Sequence, residues 1–202
     1  MSPAFLEELA RARPDPGGGA AAAYAAALGL ALLTKVVRLE GRRQAAGQDP
    51  FWQETAARVE ELRHAFNRLQ DEDVQAYEVL ARARAGGSPA ALAAAVRDAV
   101  AAPRAIMGEA QKALRLVLKA GRRCKPHLVS DLLVACELLA SALAGAHHIA
   151  GANLALVQGA AQQQQLSREL AQALKTGARL SAQVKAELKA RGPGNFPPPG
   201  LK

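Results

Sequence analysis

The sequence predicts an all-α fold of about six helices, packed as an orthogonal or up-down bundle around two largely buried central helices. Three observations carry this. Half of the residues are apolar but only 3% are aromatic, and alanine is abundant, which suits thin helices packed closely rather than sheets of β-branched strands. Apolar residues recur at steps of three and four through several long segments. Two runs, Pro16 to Thr34 and Leu138 to Val157, contain no Asp, Glu, Lys or Arg, as helices covered on most sides require.

A chain of 202 residues can bury a core without help from a metal or disulfide, so one domain is expected over residues 1–191, with the Pro/Gly-rich 192–202 as a disordered tail. Ser2 and Pro3 suit the start of a first helix carrying Phe5, Leu6 and Leu9 on one face, which must stop before Pro14. The run Pro14-Asp15-Pro16-Gly17-Gly18-Gly19 breaks the chain and feeds a second helix from about Ala20 to Arg43. After a loop through Gly47, Asp49 and Pro50 cap a third helix that reaches about Ala85 and ends at Gly86-Gly87. Ser88-Pro89 opens a fourth, which Pro103 should kink and Gly121 should close. The fifth is expected from His127 to Gly159, with Gly145 and Gly151 admitting a close neighbour. The sixth, Ala161 to Arg191, shows a stripe of Leu166, Leu170, Leu174, Gly177, Val184 and Leu188.

Composition also restricts function. Both charge-free runs approach the length of a membrane span, but the first is mostly alanine and glycine and the second places His147, His148 and Asn153 where a span would be driest, so buried helices are the better account. Met1 to Arg13 contains Glu7 and Glu8 and lacks the pattern of a signal peptide, which predicts a cytoplasmic protein. Cys124 and Cys136 read as free thiols. The net charge of +8 raises the question of nucleic acid, yet the basic residues are dispersed among acidic ones and aromatics for base stacking are few. What survives is attraction of anionic small molecules. Two apolar helices in so small a chain need covering, which points to a homodimer.

Three features could carry chemistry. Glycines before a helix let a ligand approach bare backbone whose free N–H groups favour an anion or electron-rich oxygen, although a tight turn explains the same run and its spacing fits no nucleotide motif. In the third helix the apolar stripe steps through Val59, Leu62, Phe66, Leu69, Asp73, Ala76 and Leu80, so Asp73 occupies a core position. A carboxylate there needs compensation, and two readings stand open: an ion pair with an arginine of another helix, or a functional acid. Ser130-Asp131 opens the fifth helix, where an aspartate ordinarily serves the helix dipole. Adjacent His147 and His148 point to different faces, one toward the core and one partly exposed, which argues against a two-histidine metal site.

Taken in order, these segments resemble the cyclodeaminase/cyclohydrolase family of folate one-carbon enzymes over roughly residues 3 to 158. The signatures are Phe5-Leu6-Glu7-Glu8-Leu9-Ala10, Pro14-Asp15-Pro16-Gly17-Gly18-Gly19 before an alanine-rich helix with Gly29, and Gly41-Arg42-Arg43. Asp71-Glu72-Asp73 with Ala76-Tyr77, Pro103, Ser130-Asp131-Leu132, Gly145-Ala146 and Asn153-Leu154 follow. The resemblance implies a homodimer without metal or bound cofactor. Its substrate would be a tetrahydrofolate, free or polyglutamylated, with a one-carbon unit between N5 and N10, and the reaction either formiminotetrahydrofolate cyclodeamination or methenyltetrahydrofolate hydrolysis. It makes Asp73 the proton donor and acceptor and places substrate contacts at Gly17, Gly18, Gly19, Arg42, Arg43, Lys125, Ser130, Asp131 and Asn153. The sequence departs from the family pattern at Ala20 in place of serine, at Glu40 near a usual threonine, and at Lys125 and Ile149 in place of asparagines. Those departures keep a second reading open, an inactive or retuned member acting as a helical ligand-binding or interaction protein.

Overall fold

The computed structural model describes residues 3–43 and 49–191. Among these, six α-helices form the whole architecture: α1 (Pro3–Leu9), α2 (Gly18–Arg43), α3 (Pro50–Gly86), α4 (Pro89–Arg123), α5 (Val129–Leu154) and α6 (Ala160–Arg191), with a single 3-10 turn at Pro126–Leu128 before α5. The expected Ser2 cap, the loop through Gly47 and the tail at 192–202 lie outside the described residues.

Local chemistry sets most of the boundaries. The Asp49 side chain accepts the N–H of Phe51 at 3.0 Å and Pro50 takes the first helical position of α3. Ser88 accepts from the N–H of Ala91 at 3.2 Å, with Pro89 next to it, at the start of α4. Three boundaries differ from the sequence expectation. α4 runs unbroken through Pro103 and passes Gly121 to end at Arg123. Gly121 is there for space: a Cβ on it would overlap the side chain of Leu188 from α6. α5 stops at Leu154 rather than near Gly159, because the carbonyls of Asn153 and Leu154 accept from the N–H groups of Leu156 and Val157 and tighten the chain into a turn. That turn ends at Gly159, whose φ of +93° favours glycine. α2 starts two residues early, at Gly18, so the last two glycines form its first turn.

α2 and α5 pack against each other in opposite directions. Gly18 lies against Ile149, Ala22 against Gly145, Gly29 against Leu138 and Leu139, and Lys35 pairs with Asp131 at 2.8 Å. Gly29 allows the approach, since a Cβ there would sit 3.0 Å from the carbonyl oxygen of Ala135. Gly151 is exposed and meets nothing, so it is not the contact glycine expected. α3 covers one side of α2, α6 covers one side of α5, and α4 packs on α2, α3, α5 and α6, making it a third inner helix. Phe66, Leu30, Leu33, Ile106, Leu114, Leu132 and Leu139 are completely buried in the shared core. Each such side chain contributes roughly 1.5–3 kcal/mol of transfer free energy.

α2 and the stretch Pro126–Leu154 are apolar and long enough to cross a membrane, yet 50% and 44% of their most apolar windows lie inside this fold. The rest is an outward face that includes Leu28, Leu39 and Val134, exposed by 38%, 39% and 52%. Both cysteines are buried and free, and burial pushes each thiol pKa above its ordinary value.

Candidate active site

Asp73 sits where the stripe of α3 places it, with Leu69, Ala76 and Leu80 buried on the same face, and is itself half-buried. Opposite it is the first turn of α2. A Cβ on Gly19 would overlap the whole Asp73 carboxylate, so this aspartate occupies the volume that any other residue at position 19 would fill. None of Gly17, Gly18 or Gly19 has a positive φ, so the run is selected here for bare space and not for an unusual backbone.

The carboxylate accepts a hydrogen bond from the backbone N–H of Ala20 and makes no ion pair among the described residues. The arginine partner that would have made it structural is not there. Burial raises its pKa above the ordinary carboxylate value, and the Ala20 N–H, backed by the positive end of α2, opposes part of that rise. It is a carboxyl group poised to hold or release a proton in a site that offers it no counter-charge.

Around it is a cavity of about 200 Å³, bordered by Asp15, Gly17, Gly18 and Gly19 from the approach to α2, by Asp73 and Tyr77 from α3, and by Ile149 and Asn153 from α5. The cis bond between Asp15 and Pro16 lies in this approach. Asn153 is fixed by an interaction that also accounts for Pro103. Within α4 the carbonyl of Ala99 would ordinarily accept the N–H of residue 103, and proline has none. The side-chain amide of Asn153 donates to that carbonyl instead, at 2.7 Å. The proline therefore frees an acceptor on α4, and the acceptor positions a side chain on the cavity wall.

The structure brings together Gly17, Gly18, Gly19, Asp73 and Asn153, and separates the other expected substrate contacts from them. Arg42 and Arg43 end α2, on the order of 35 Å along the helix from its glycines. Lys125, Ser130 and Asp131 lie beside that far end because α5 runs antiparallel to α2. Within one chain the expected contacts therefore fall into two separate groups. Several groups at the far end have structural partners. The buried Glu40 accepts from the backbone N–H of Lys125 at 3.1 Å and faces Arg43 at 3.8 Å, and Asp131 pairs with Lys35. Arg123 reaches Asp49 at 3.1 Å and lies 4.3 Å over the Phe51 ring.

Sequence reasoning did not select Asp15 or Tyr77 for the site. Tyr77 was within reach of the same argument, being four residues after Asp73 and so its neighbour on the α3 surface. Asp15 belongs to the signature run before α2, but only the fold of its loop brings it to the cavity. His147 is half-buried and His148 exposed, so neither is a core histidine. Among the described residues no group of three or more His, Cys, Asp or Glu side chains is arranged to hold a metal ion.

An all-helical fold with one uncompensated carboxyl against a glycine-lined helix start defines an acid/base or ligand-binding cavity. The chain belongs to the formiminotransferase-cyclodeaminase family, whose pattern it matches over residues 2–172. No curated protein matches it. Among solved structures it is similar in fold to the formiminotetrahydrofolate cyclodeaminase of Thermotoga maritima, with 21% identity, 94% of each chain covered and a TM-score of 0.81.

Proposed function

We propose that this protein is a folate one-carbon enzyme that makes or opens the bridge between N5 and N10 of tetrahydrofolate, with Asp73 as its general acid and base. The observation that carries this is the uncompensated, half-buried Asp73 carboxyl lying against glycine backbone in the cavity. In cyclodeamination, N10 attacks the carbon of the formimino group and protonated Asp73 gives its proton to the departing ammonia. In hydrolysis of the methenyl compound, water attacks the same carbon while ionised Asp73 takes the water proton. In both, a nearby carboxylate stabilises the delocalised N5–C–N10 cation. Gly17, Gly18, Gly19 and Asn153 would line the one-carbon end of the substrate, and the family supplies the substrate class.

A second reading has its own support. Two of the departures from the family pattern fall beside Asp73: Ala20 offers it only a backbone N–H, and the Ile149 side chain fills the space next to Gly18. A cavity stripped of those polar groups suits a member that binds without turnover. Incubation of pure protein with formimino- and methenyltetrahydrofolate, following ammonia release and the methenyl chromophore, separates the readings. Turnover of either compound identifies the reaction, and turnover of neither puts the binding protein ahead.

We also propose that two copies associate over the outer face of α2 and α5. Leu28, Leu39 and Val134 are large apolar side chains exposed on the two most apolar helices of the chain. Light scattering at micromolar concentration is expected to give twice the chain mass for the wild type and a single-chain mass for Val134→Glu. A wild-type monomer would overturn this.

A further inference from the structure

A hollow larger than the Asp73 cavity lies elsewhere. A cleft of about 500 Å³ lies between α4, the turn after α5 and the start of α6, outside the Asp73 cavity and sharing no lining residue with it. Its volume falls within the roughly 300–1,000 Å³ typical of small-molecule sites, whereas the Asp73 cavity falls below it. The floor is apolar, formed by Val96 and Val100 of α4 and by Leu156 and Val157 of the tight turn. Hydrogen bonds from the Leu156 and Val157 N–H groups to Asn153 and Leu154 hold that turn, so this wall is built into the fold.

Two arginines stand over the floor. Arg97 and Arg104 are seven residues apart, two turns of α4, so they share one side of the helix. Arg104 is already answered by Glu169 at 2.7 Å, while Arg97 makes no ion pair among the described residues. An apolar floor beneath one uncompensated guanidinium is complementary to a molecule with an aromatic or aliphatic body and one anionic end. An arginine fork recognises a carboxylate or sulfonate in two-point geometry.

We propose that this cleft is a binding site for a small amphipathic anion of the aryl-carboxylate type, with its ring on Val96, Val100, Leu156 and Val157 and its charge on Arg97. Two sources share that chemistry: a free molecule, or the aminobenzoyl-glutamate end of a folate whose pterin lies in the Asp73 cavity. The second source rests on the function proposed above; the site itself does not.

The test uses anilinonaphthalene sulfonate and its uncharged parent, N-phenylnaphthylamine, titrated by fluorescence into wild type, Arg97→Glu and, as a control for lost positive charge, Arg115→Glu. The anion is expected to saturate one site per chain and bind wild type about tenfold or more tightly than the neutral dye, the factor expected of a charge-assisted contact. That preference should vanish in Arg97→Glu and persist in Arg115→Glu. Equal binding of the two dyes, or a preference that survives Arg97→Glu, overturns the site. Displacement then assigns the source. Tetrahydrofolate displacing the anion where tetrahydropterin does not would identify the folate tail, and displacement by aminobenzoyl-glutamate alone would identify a free aryl carboxylate. If the wild-type preference holds but tetrahydrofolate fails to bind anywhere on the protein, the folate reading falls and the cleft stands.

Discussion

Replacing Asp73 with asparagine is expected to lower turnover by about two to four orders of magnitude, the loss that follows removal of a positioned general acid or base, while the fold persists. Asparagine keeps the volume beside Gly19 and an oxygen to accept the Ala20 N–H. The dependence of stability on pH supplies an independent check. The Asp73 carboxyl has a raised pKa in the folded chain. A group of that kind contributes stability that is fully present below the ordinary carboxylate pKa and is lost as pH rises through the folded value. The asparagine variant has no such loss. Its melting temperature should therefore gain on that of the wild type as pH rises from the ordinary aspartate pKa of about 3.9 through the raised folded value. If wild type gains on the variant over the same interval, Asp73 is an ion-pair partner and its assignment here is wrong. Turnover at saturating substrate in the hydrolytic direction should rise with pH through the same raised pKa, because the base must be ionised.

Gly19→Ala is expected to do comparable damage to activity by moving the carboxylate instead of deleting it. The added methyl would overlap all the carboxylate atoms, and the cheapest relief is rotation of the Asp73 side chain away from the Ala20 N–H. Turnover should fall by about a hundredfold or more, in line with small misplacements of catalytic groups. The effect on stability should be small, since the half-buried Asp73 side chain borders the cavity and can rotate to relieve the overlap. Gly18→Ala serves as the comparison, because its methyl meets only the end of the flexible Ile149 side chain, at 2.9 Å. The two variants should melt within a few degrees of each other and differ widely in rate. Equal rates would mean that the glycines serve only as a turn.

How much of this was legible in the sequence depended on the range of the interaction. Helix starts at Asp49-Pro50 and Ser88-Pro89 are local events and were readable. The departure of Asp73 from an apolar period was readable too, because periodicity on one helix needs no knowledge of its neighbours. The helix ends at Gly121 and Gly159 were misplaced because glycine has two uses. At Gly121 it admits Leu188, and at Gly159 it provides a positive φ beyond a helix that had already ended for other reasons. The division of the expected substrate contacts into two groups lay beyond the reach of local pattern. The length of α2 separates Arg42 from its glycines, and the antiparallel packing of α5 places Asp131 and Lys125 near that same far end. Arg97 drew no attention because an arginine on an exposed helix face is ordinary until a second helix forms a wall beside it.

The bond between Asn153 and the Ala99 carbonyl has a consequence for how such sequences can drift. Positions 103 and 153 are fifty residues apart, yet a change at one alters the bond made by the other. Any residue other than proline at 103 restores an N–H that competes with Asn153 for the Ala99 carbonyl within α4 and weakens its anchor. A residue without a donor at 153 leaves that carbonyl buried with no partner, at a cost of roughly 1–3 kcal/mol. Related chains should therefore keep both residues or exchange both, and a relative with only one of the pair should carry another donor aimed at the same carbonyl.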